Sequence, residues 1–330
     1  MGKAVRQMYE FHGIYAGLLD QYISFKQRLG YKFTDAYSTY SLFDRMTLEP
    51  EEATIGITRD LADAWAKQRP NESDSTRYRR VMYLIQFSRY LCDLGYDSFV
   101  PPYPASYKST FTPYILTEQQ MNDIFKACDS IEIGDFANSQ AVVIPALFRL
   151  MYGTGIRVGE AVSLLKTDVA LNNNTLIIRD SKNGKERMIP FTESVAEACR
   201  AYRASLPKKA VCASNFFVRR NGMSCNKKHL YDWFRKVLSM AGIPHGGRGN
   251  GPRLHDVRHC FSVHSLAKMA ADGIDLYYSL PILSEYLGHQ SLEATEKYVR
   301  LTAEMYPGLL SKADNICAYA FPEVGFTDDN

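Results

Sequence analysis

Seven polar residues between positions 157 and 298 are of types that handle phosphate. Arg157 and Glu160 lie in Gly153-Thr-Gly-Ile-Arg157-Val-Gly-Glu160. Lys182 precedes Asn183-Gly184. His255 and Arg258 lie in His255-Asp-Val-Arg258-His259, and His289 follows Leu287-Gly288. Tyr298 comes nine residues later. His255 and Arg258 are spaced i, i+3, so on a helix they share a face. Breaking a phosphodiester without a metal requires a nucleophile, positive charge around the phosphorus and an acid for the leaving oxygen. A phenol, two arginines, a lysine and two histidines supply these functions. Taken singly, each has an ordinary use: an arginine makes a surface salt bridge, a histidine is a satisfied structural residue, and one of 22 tyrosines is core or surface. His255, His259 and His264 fit no common metal-ligand spacing and are joined by no carboxylate or cysteine set, so no metal and no cofactor is expected.

The elements that would position these groups are mostly helices. Tyr15 to Leu29 carries apolar residues at helical spacing and stops at Gly30. Thr76 to Leu94 reads as a second strong helix, capped by Asp74 or Ser75 and ended by Gly95. Its basic start, Arg77-Tyr78-Arg79-Arg80, is either a solvated face or a phosphate contact. Val100-Pro-Pro-Tyr-Pro104 cannot be helix interior and makes a stiff linker. A domain boundary is therefore expected there, with a helical domain over 1–104 and a second domain over 105–330. Thr117 and Gln120 form a capping box that starts the next helix. Val142 to Tyr152 reads as a buried helix. Thr175 to Ser181 and Lys185 to Phe191 read as strands joined by a hairpin turn at Asn183-Gly184. Asn215 to Arg219 is a candidate third strand. Further helices are expected near 226–241, 255–272, 280–287 and 291–303, with a glycine-rich loop over 242–253.

In that order the pieces resemble one family. Arg157 within TGIRVGE, Lys182 in a β-turn, HDVRH, LGH and the tyrosine nine residues beyond are similar to the tyrosine recombinases, which include phage integrases, Xer-type resolvases and transposon integrases. The resemblance implies a mainly α fold with a small antiparallel β-sheet. It further implies a helical core-binding (SAM-like) domain followed by a mixed α/β catalytic domain. The departure at the motifs is Cys260, where the family often has threonine. The spacing selects Tyr298 over Tyr277, Tyr278, Tyr286 and Tyr306 as nucleophile, forming a phosphotyrosine that conserves the bond energy without ATP. Arg157 and Arg258 would hold the non-bridging oxygens with forked, permanently charged donors. His289 would add a hydrogen bond, and donors of this kind each contribute on the order of 3–4 kcal/mol. Lys182 would protonate the leaving 5′ oxygen and His255 would accept the tyrosine's proton. Glu160 would brace Arg157, and Asp256 is a candidate brace or cap.

The bulk properties fit that chemistry. The chain has 330 residues, enough for about two domains at roughly 100–200 residues each. With 46% hydrophobic and 23% charged residues it has ample apolar material for two cores. Its longest apolar run, Ala141 to Phe148, is broken by Arg149, which excludes a membrane span. Nothing like a secretory leader opens it, and the cytoplasm is expected, with nucleoid association through DNA. Seven scattered cysteines without a CxxC read as reduced thiols. The net charge is only +3, yet Arg179 to Arg258 holds seventeen Lys and Arg against six Asp and Glu. Such clustering favours a polyanion. The expected partner is duplex DNA, with Arg77, Arg79 and Arg80 as candidate backbone contacts. A four-protomer synapse, accessory directionality factors or host DNA-bending factors, and a mobile-element role in integration, excision or resolution follow from the resemblance. No arm-binding domain is expected before residue 10, and the tail from Tyr306 to Asn330 is expected to dock in cis or on a neighbouring protomer. The alternatives are a type IB topoisomerase, a silent DNA-binding regulator and, against the absence of clustered carboxylates, a metal-dependent nuclease.

Overall fold

The computed structural model describes residues 9–31, 33–48, 54–107, 111–134, 136–179, 186–247, 250–289, 291 and 293–306. The hairpin tip with Lys182, and the tail beyond Tyr306, lie outside the described residues. Among the described residues no helix is long and apolar enough to cross a membrane. The chain divides into two compact units, Met1–Phe111 and Thr112–Asn330.

The first unit is helical: α1 (Ala16–Arg28), α2 (Thr34–Met46), α3 (Arg59–Ala66) and α4 (Asp74–Asp93). Helical spacing of aromatic residues brings Tyr15, Tyr22, Tyr40, Phe43, Trp65 and Phe87 into one core. Thr58 caps α3 by accepting the Leu61 amide, and Gly30 follows α1 at a φ of 88°. The cap of α4 is Ser73 rather than Asp74 or Ser75. Ser73 is extended and its hydroxyl accepts the Thr76 amide, while Asp74 lies inside the first turn, where a carboxylate favours the helix N-terminus. The proline run packs back on α4: the Arg89 guanidinium lies over Tyr103 at 5.1 Å, and Tyr107 meets Tyr78 edge-on at 5.4 Å.

The second unit wraps around α6 (Ile144–Thr154), whose sequence Ile-Pro-Ala-Leu-Phe-Arg-Leu-Met-Tyr-Gly-Thr is apolar on nearly all sides. A helix of that character belongs in the interior. It packs against α5 (Glu118–Asp129), α8 (Glu193–Ala204) and α11 (Asp256–Ala271). Both halves of the Thr117–Gln120 capping box are formed at the start of α5. The short α7 (Val158–Ser163), α9 (Lys208–Val211) and the longer α10 (Lys227–Met240) complete this layer. Three strands, β1 (Val169–Ala170), β2 (Thr175–Ile178) and β3 (Arg187–Pro190), form an antiparallel sheet in that order, with Leu176 opposite Ile189 and Ile178 opposite Arg187. Leu176, Ile178 and Ile189 face inward in the expected alternation.

The expected strand over 215–219 does not form; the third strand is Val169–Ala170 instead. Residues 215–219 make only isolated bridges, Leu165 with Asn215 and Val218 with Ser224. Phe216, Phe217 and Val218 are all buried, so this run has no solvent face, and the Tyr202 hydroxyl takes the Val218 amide that a ladder would need. Helices α12 (Leu276–Leu287) and α13 (Glu293–Met305) lie on α11. Their shared apolar cluster of Val263, Leu266, Leu283, Leu287 and Leu301 also contains Tyr298.

Candidate active site

The site is built where the end of α6, the start of α7, the start of α11, the end of α12 and the middle of α13 converge. Gly155 is the pivot. It ends α6 at a φ of 60°, and a Cβ there would lie 2.4 Å from Phe261 Cδ1 and 3.0 Å from Leu287 Cδ2. Only glycine fits both the left-handed backbone and the contact. Its carbonyl accepts from Arg258 Nη1 at 2.7 Å, while Arg258 Nη2 donates to the Leu287 carbonyl at 2.8 Å and to His289 Nε2 at 3.1 Å. Arg258 is 2% exposed. Burial first, then the nearby Arg157 charge, push its pKa down to about 10, which still leaves it charged at neutral pH. Three of its five N–H donors are committed in these contacts.

His289 is consequently held in one tautomer. Arginine can only donate, so Nε2 accepts and the proton sits on Nδ1, which faces Thr295 Oγ1 at 2.8 Å. Burial and the Arg258 charge push its pKa down to about 4. The His289 ring stacks on Tyr298 with centroids 6.2 Å apart and planes within 18°. Tyr298 is 1% exposed, and its hydroxyl lies 2.9 Å from His259 Nδ1. Burial raises its pKa, with Arg258 pulling the other way. His255 sits just before α11 and packs edge-on against His259 at 5.0 Å. Burial and Arg258 lower its pKa to about 4.

Arg157 stands immediately before α7. Its amide donates to Glu160 Oε2 at 2.9 Å and its Nη1 to Glu160 Oε1 at 2.9 Å. Glu160 is buried, which by itself would raise its pKa. The Arg187 hydrogen bond and then the Arg157 amide outweigh that, so the carboxyl is held below its usual range. Arg187 binds the same carboxylate through Nη1 at 3.2 Å and Nη2 at 2.9 Å, and its Nε donates to the Tyr286 carbonyl at 3.1 Å. Arg157 and Arg187 share the Glu160 carboxylate, and Arg258 and Lys297 stand nearby as further positive charges. Lys297 Nζ lies 5.2 Å from the Tyr298 ring centroid, and burial and then Arg258 lower its pKa. The surplus of positive charge suits a phosphate. Among the described residues no group of three or more His, Cys, Asp and Glu side chains is placed to hold a metal ion.

The structure thus brings Arg157, Arg258, His255, His289 and Tyr298 into one neighbourhood, with Glu160 beneath Arg157. Lys182 lies outside the described residues. Asp256, the candidate brace or cap, closes the turn that precedes its helix: it accepts the Arg253 amide at 2.8 Å and pairs with the Arg253 guanidinium at 2.9 Å, while the N-cap residue His255 makes no side-chain cap bond. Arg80, a candidate phosphate contact, is turned inward. It is 3% exposed, pairs with Glu72 at 2.8 Å, donates to the Lys67 carbonyl and lies over Trp65. It holds the first unit together, whereas Arg79 is exposed and Arg77, also exposed, donates to the Ala66 carbonyl. Of the other tyrosines, Tyr286 donates to the Pro190 carbonyl and stacks on Phe261, and Tyr278 is 71% exposed.

Arg187, His259 and Lys297 of the site went unassigned in the sequence. Arg187 had a signal: it shares a strand face with the buried Ile189, and an inward arginine requires a buried partner. His259 had one too, being four residues after His255 and so on the same helical face.

The phage integrase family model matches residues 115–305. The chain belongs to that family. Tyrosine recombinase XerD of Rhizobium meliloti is 30% identical over 236 residues, covering 70% of this chain and 71% of that one. A Sinorhizobium fredii protein that carries the name integrase/recombinase is 28% identical over 298 residues, covering 87% and 93%. A lambda integrase fragment bound as a dimer to a COC′ core site shares the fold at a TM-score of 0.61 and 16% identity, over 86% of this chain and 94% of that one. The Tn1549 transposon integrase shares it at 0.60 and 17%, over 86% and 93%. This tyrosine recombinase is therefore a DNA strand-transferring enzyme, mainly helical with a small antiparallel sheet.

Proposed function

We propose that this recombinase cleaves and rejoins duplex DNA at specific sites through a 3′-phosphotyrosyl intermediate on Tyr298. The observation that carries this is the buried junction of Tyr298, His289 and Arg258: a phenol stacked on an imidazole whose Nε2 accepts from a guanidinium. A pentacoordinate phosphorus beside Tyr298 would meet Arg258 and Arg157, whose forked donors match its non-bridging oxygens. The Tyr298 oxygen bonds to phosphorus, and the bond to the 5′ oxygen breaks. Lys182 supplies the proton that this oxygen takes, and the phenol's proton leaves to a histidine. Reversal by the 5′ hydroxyl of another strand rejoins the DNA with no energy source, because the phosphoester count is unchanged.

The partner is duplex DNA, held non-specifically by phosphate contacts whose affinity falls with salt. Arg77 and Arg79 and the basic stretch from Arg179 to Arg258 supply charge for it. Among solved neighbours, XerH is described bound to its difH substrate and lambda integrase as a tetramer on a Holliday junction. Those assemblies support a four-protomer synapse here. Integration, excision or resolution of a mobile element is the corresponding biological role, with directionality or DNA-bending factors as helpers, in the cytoplasm at the nucleoid. The test is to trap covalent complexes on nicked fragments of genomic DNA and sequence the captured ends. Wild-type protein should yield SDS-resistant adducts at a discrete site, and Tyr298→Phe should bind the same DNA without forming any. An adduct from the phenylalanine variant would refute the assignment.

A further inference from the structure

His259 has no role in the chemistry above, yet it touches the reacting oxygen. Its Nδ1 lies 2.9 Å from the Tyr298 hydroxyl, and both side chains are buried, at 4% and 1% exposure. We infer that His259 is a positioning residue that fixes the direction of the Tyr298 hydroxyl: it draws the phenolic proton toward α11 and leaves the oxygen's lone pairs for phosphorus. This inference rests on Tyr298 being the nucleophile.

The charge states allow the phenol to be the donor, which is the sense inferred here. Burial raises the pKa of Tyr298, so the phenol keeps its proton and can donate. Burial and the neighbouring His255, Lys297, Arg253 and Arg258 drive the pKa of His259 down to about 3, so the imidazole is neutral. A neutral imidazole accepting at Nδ1 carries its proton on Nε2. Two other groups face the hydroxyl, Arg258 and Ser262. The Arg258 guanidinium can only donate. Ser262 spends its own proton on the Arg258 carbonyl at 2.9 Å, so toward the phenol it offers only hydroxyl lone pairs, a weaker acceptor than a neutral imidazole nitrogen.

Direction matters because a phenol attacks through a lone pair. A hydroxyl that spins about its C–O bond points its proton at the incoming phosphate in part of its orientations, and each such orientation is unproductive. The ring itself is already fixed: it stacks on His289, and Thr302 Oγ1 donates to the Tyr298 carbonyl at 2.7 Å. The remaining freedom is the O–H rotation, and the bond to His259 removes it. His255, which the family resemblance makes the proton acceptor, packs edge-on against His259 with ring centroids 5.0 Å apart.

The test compares His259→Asn with His259→Leu. The Asn amide oxygen stands near the place of Nδ1 and keeps the acceptor, whereas Leu keeps apolar volume and removes it. Both are assayed by single-turnover adduct formation at saturating concentrations of a nicked duplex built from the captured ends. The Leu variant should be slower by on the order of tenfold, the worth of one hydrogen bond, with its Kd for DNA unchanged. The Asn variant should stay within about threefold of wild type. Histidine ¹⁵N NMR of the full chain should show His259 neutral, protonated on Nε2, with an Nδ1 resonance that moves in Tyr298→Phe. Equal impairment of Asn and Leu would reduce His259 to packing and overturn the inference, as would an unimpaired Leu variant or a proton on Nδ1. If the Leu variant does not fold, the NMR result decides. A Tyr298→Phe protein that still forms the adduct removes the nucleophile assignment and this inference together. An inert Tyr298→Phe beside an unimpaired Leu variant removes only the role of His259.

Discussion

Glu160→Gln is the change that most directly probes how this site is held. The wild-type carboxylate accepts four hydrogen bonds, from the Arg157 amide and Nη1 and from Arg187 Nη1 and Nη2. Glutamine keeps one oxygen and replaces the other with an amide nitrogen that cannot accept, so two of the four are lost and donors face donors. Arg187 has only 8% of its side chain exposed and Glu160 only 6%, so the abandoned charge cannot turn to water. Removing one partner of a buried pair costs about 3–5 kcal/mol. Arg157, at 26% side-chain exposure, recovers part of its share through solvent, which favours the lower end of that range. Urea unfolding followed by circular dichroism should therefore show a loss of about 3 kcal/mol for Glu160→Gln. The same change in Arg187→Met should be partly redundant with it, the double variant losing at least 1 kcal/mol less than the sum, roughly the coupling of contacting residues. Adduct formation should fall as well, since Arg157 loses its anchor. A loss under about 0.5 kcal/mol, or strictly additive single variants, would refute the bridging role of Glu160.

Gly155→Ala meets Phe261 and Leu287 in a left-handed backbone; strain and overpacking together should lower stability by about 3 kcal/mol, measured by the same unfolding assay. Arg79→Ala should lower the magnitude of the log–log salt slope of DNA binding by about one, whereas Arg80→Met should leave that slope alone and destabilise the first unit by about 3 kcal/mol. Lys182→Ala should be slow on ordinary DNA and recover on a substrate whose 5′ leaving atom is sulfur, which departs without a proton; absence of that rescue moves the acid elsewhere.

The helices with strong periodicity and caps were legible in the sequence, because their signals are local. Thr117 and Gln120 specify a capping box within four residues, and Gly155 and Gly30 end helices through their own φ preferences. The Arg157, Arg258, His289 and Tyr298 set was legible because each lies in a short motif of fixed spacing. The third strand was not, since Phe216, Phe217 and Val218 read as a strand by composition, while a side chain distant in sequence, Tyr202, takes the amide a ladder would need. Arg77, Arg79 and Arg80 looked alike because sequence gives charge but not direction. Only the approach of Trp65 and Glu72 turned Arg80 inward. The same holds at the centre of the site. Which groups carry charge and which offer a nucleophilic oxygen is set by residue type and was readable from the chain alone. Tertiary structure decided which partner each donor meets: Arg258 on two carbonyls and His289, Glu160 between two arginines, and the Tyr298 hydroxyl on His259. A hydrogen bond depends on a few tenths of an ångström between segments up to a hundred residues apart, and no local pattern encodes that distance.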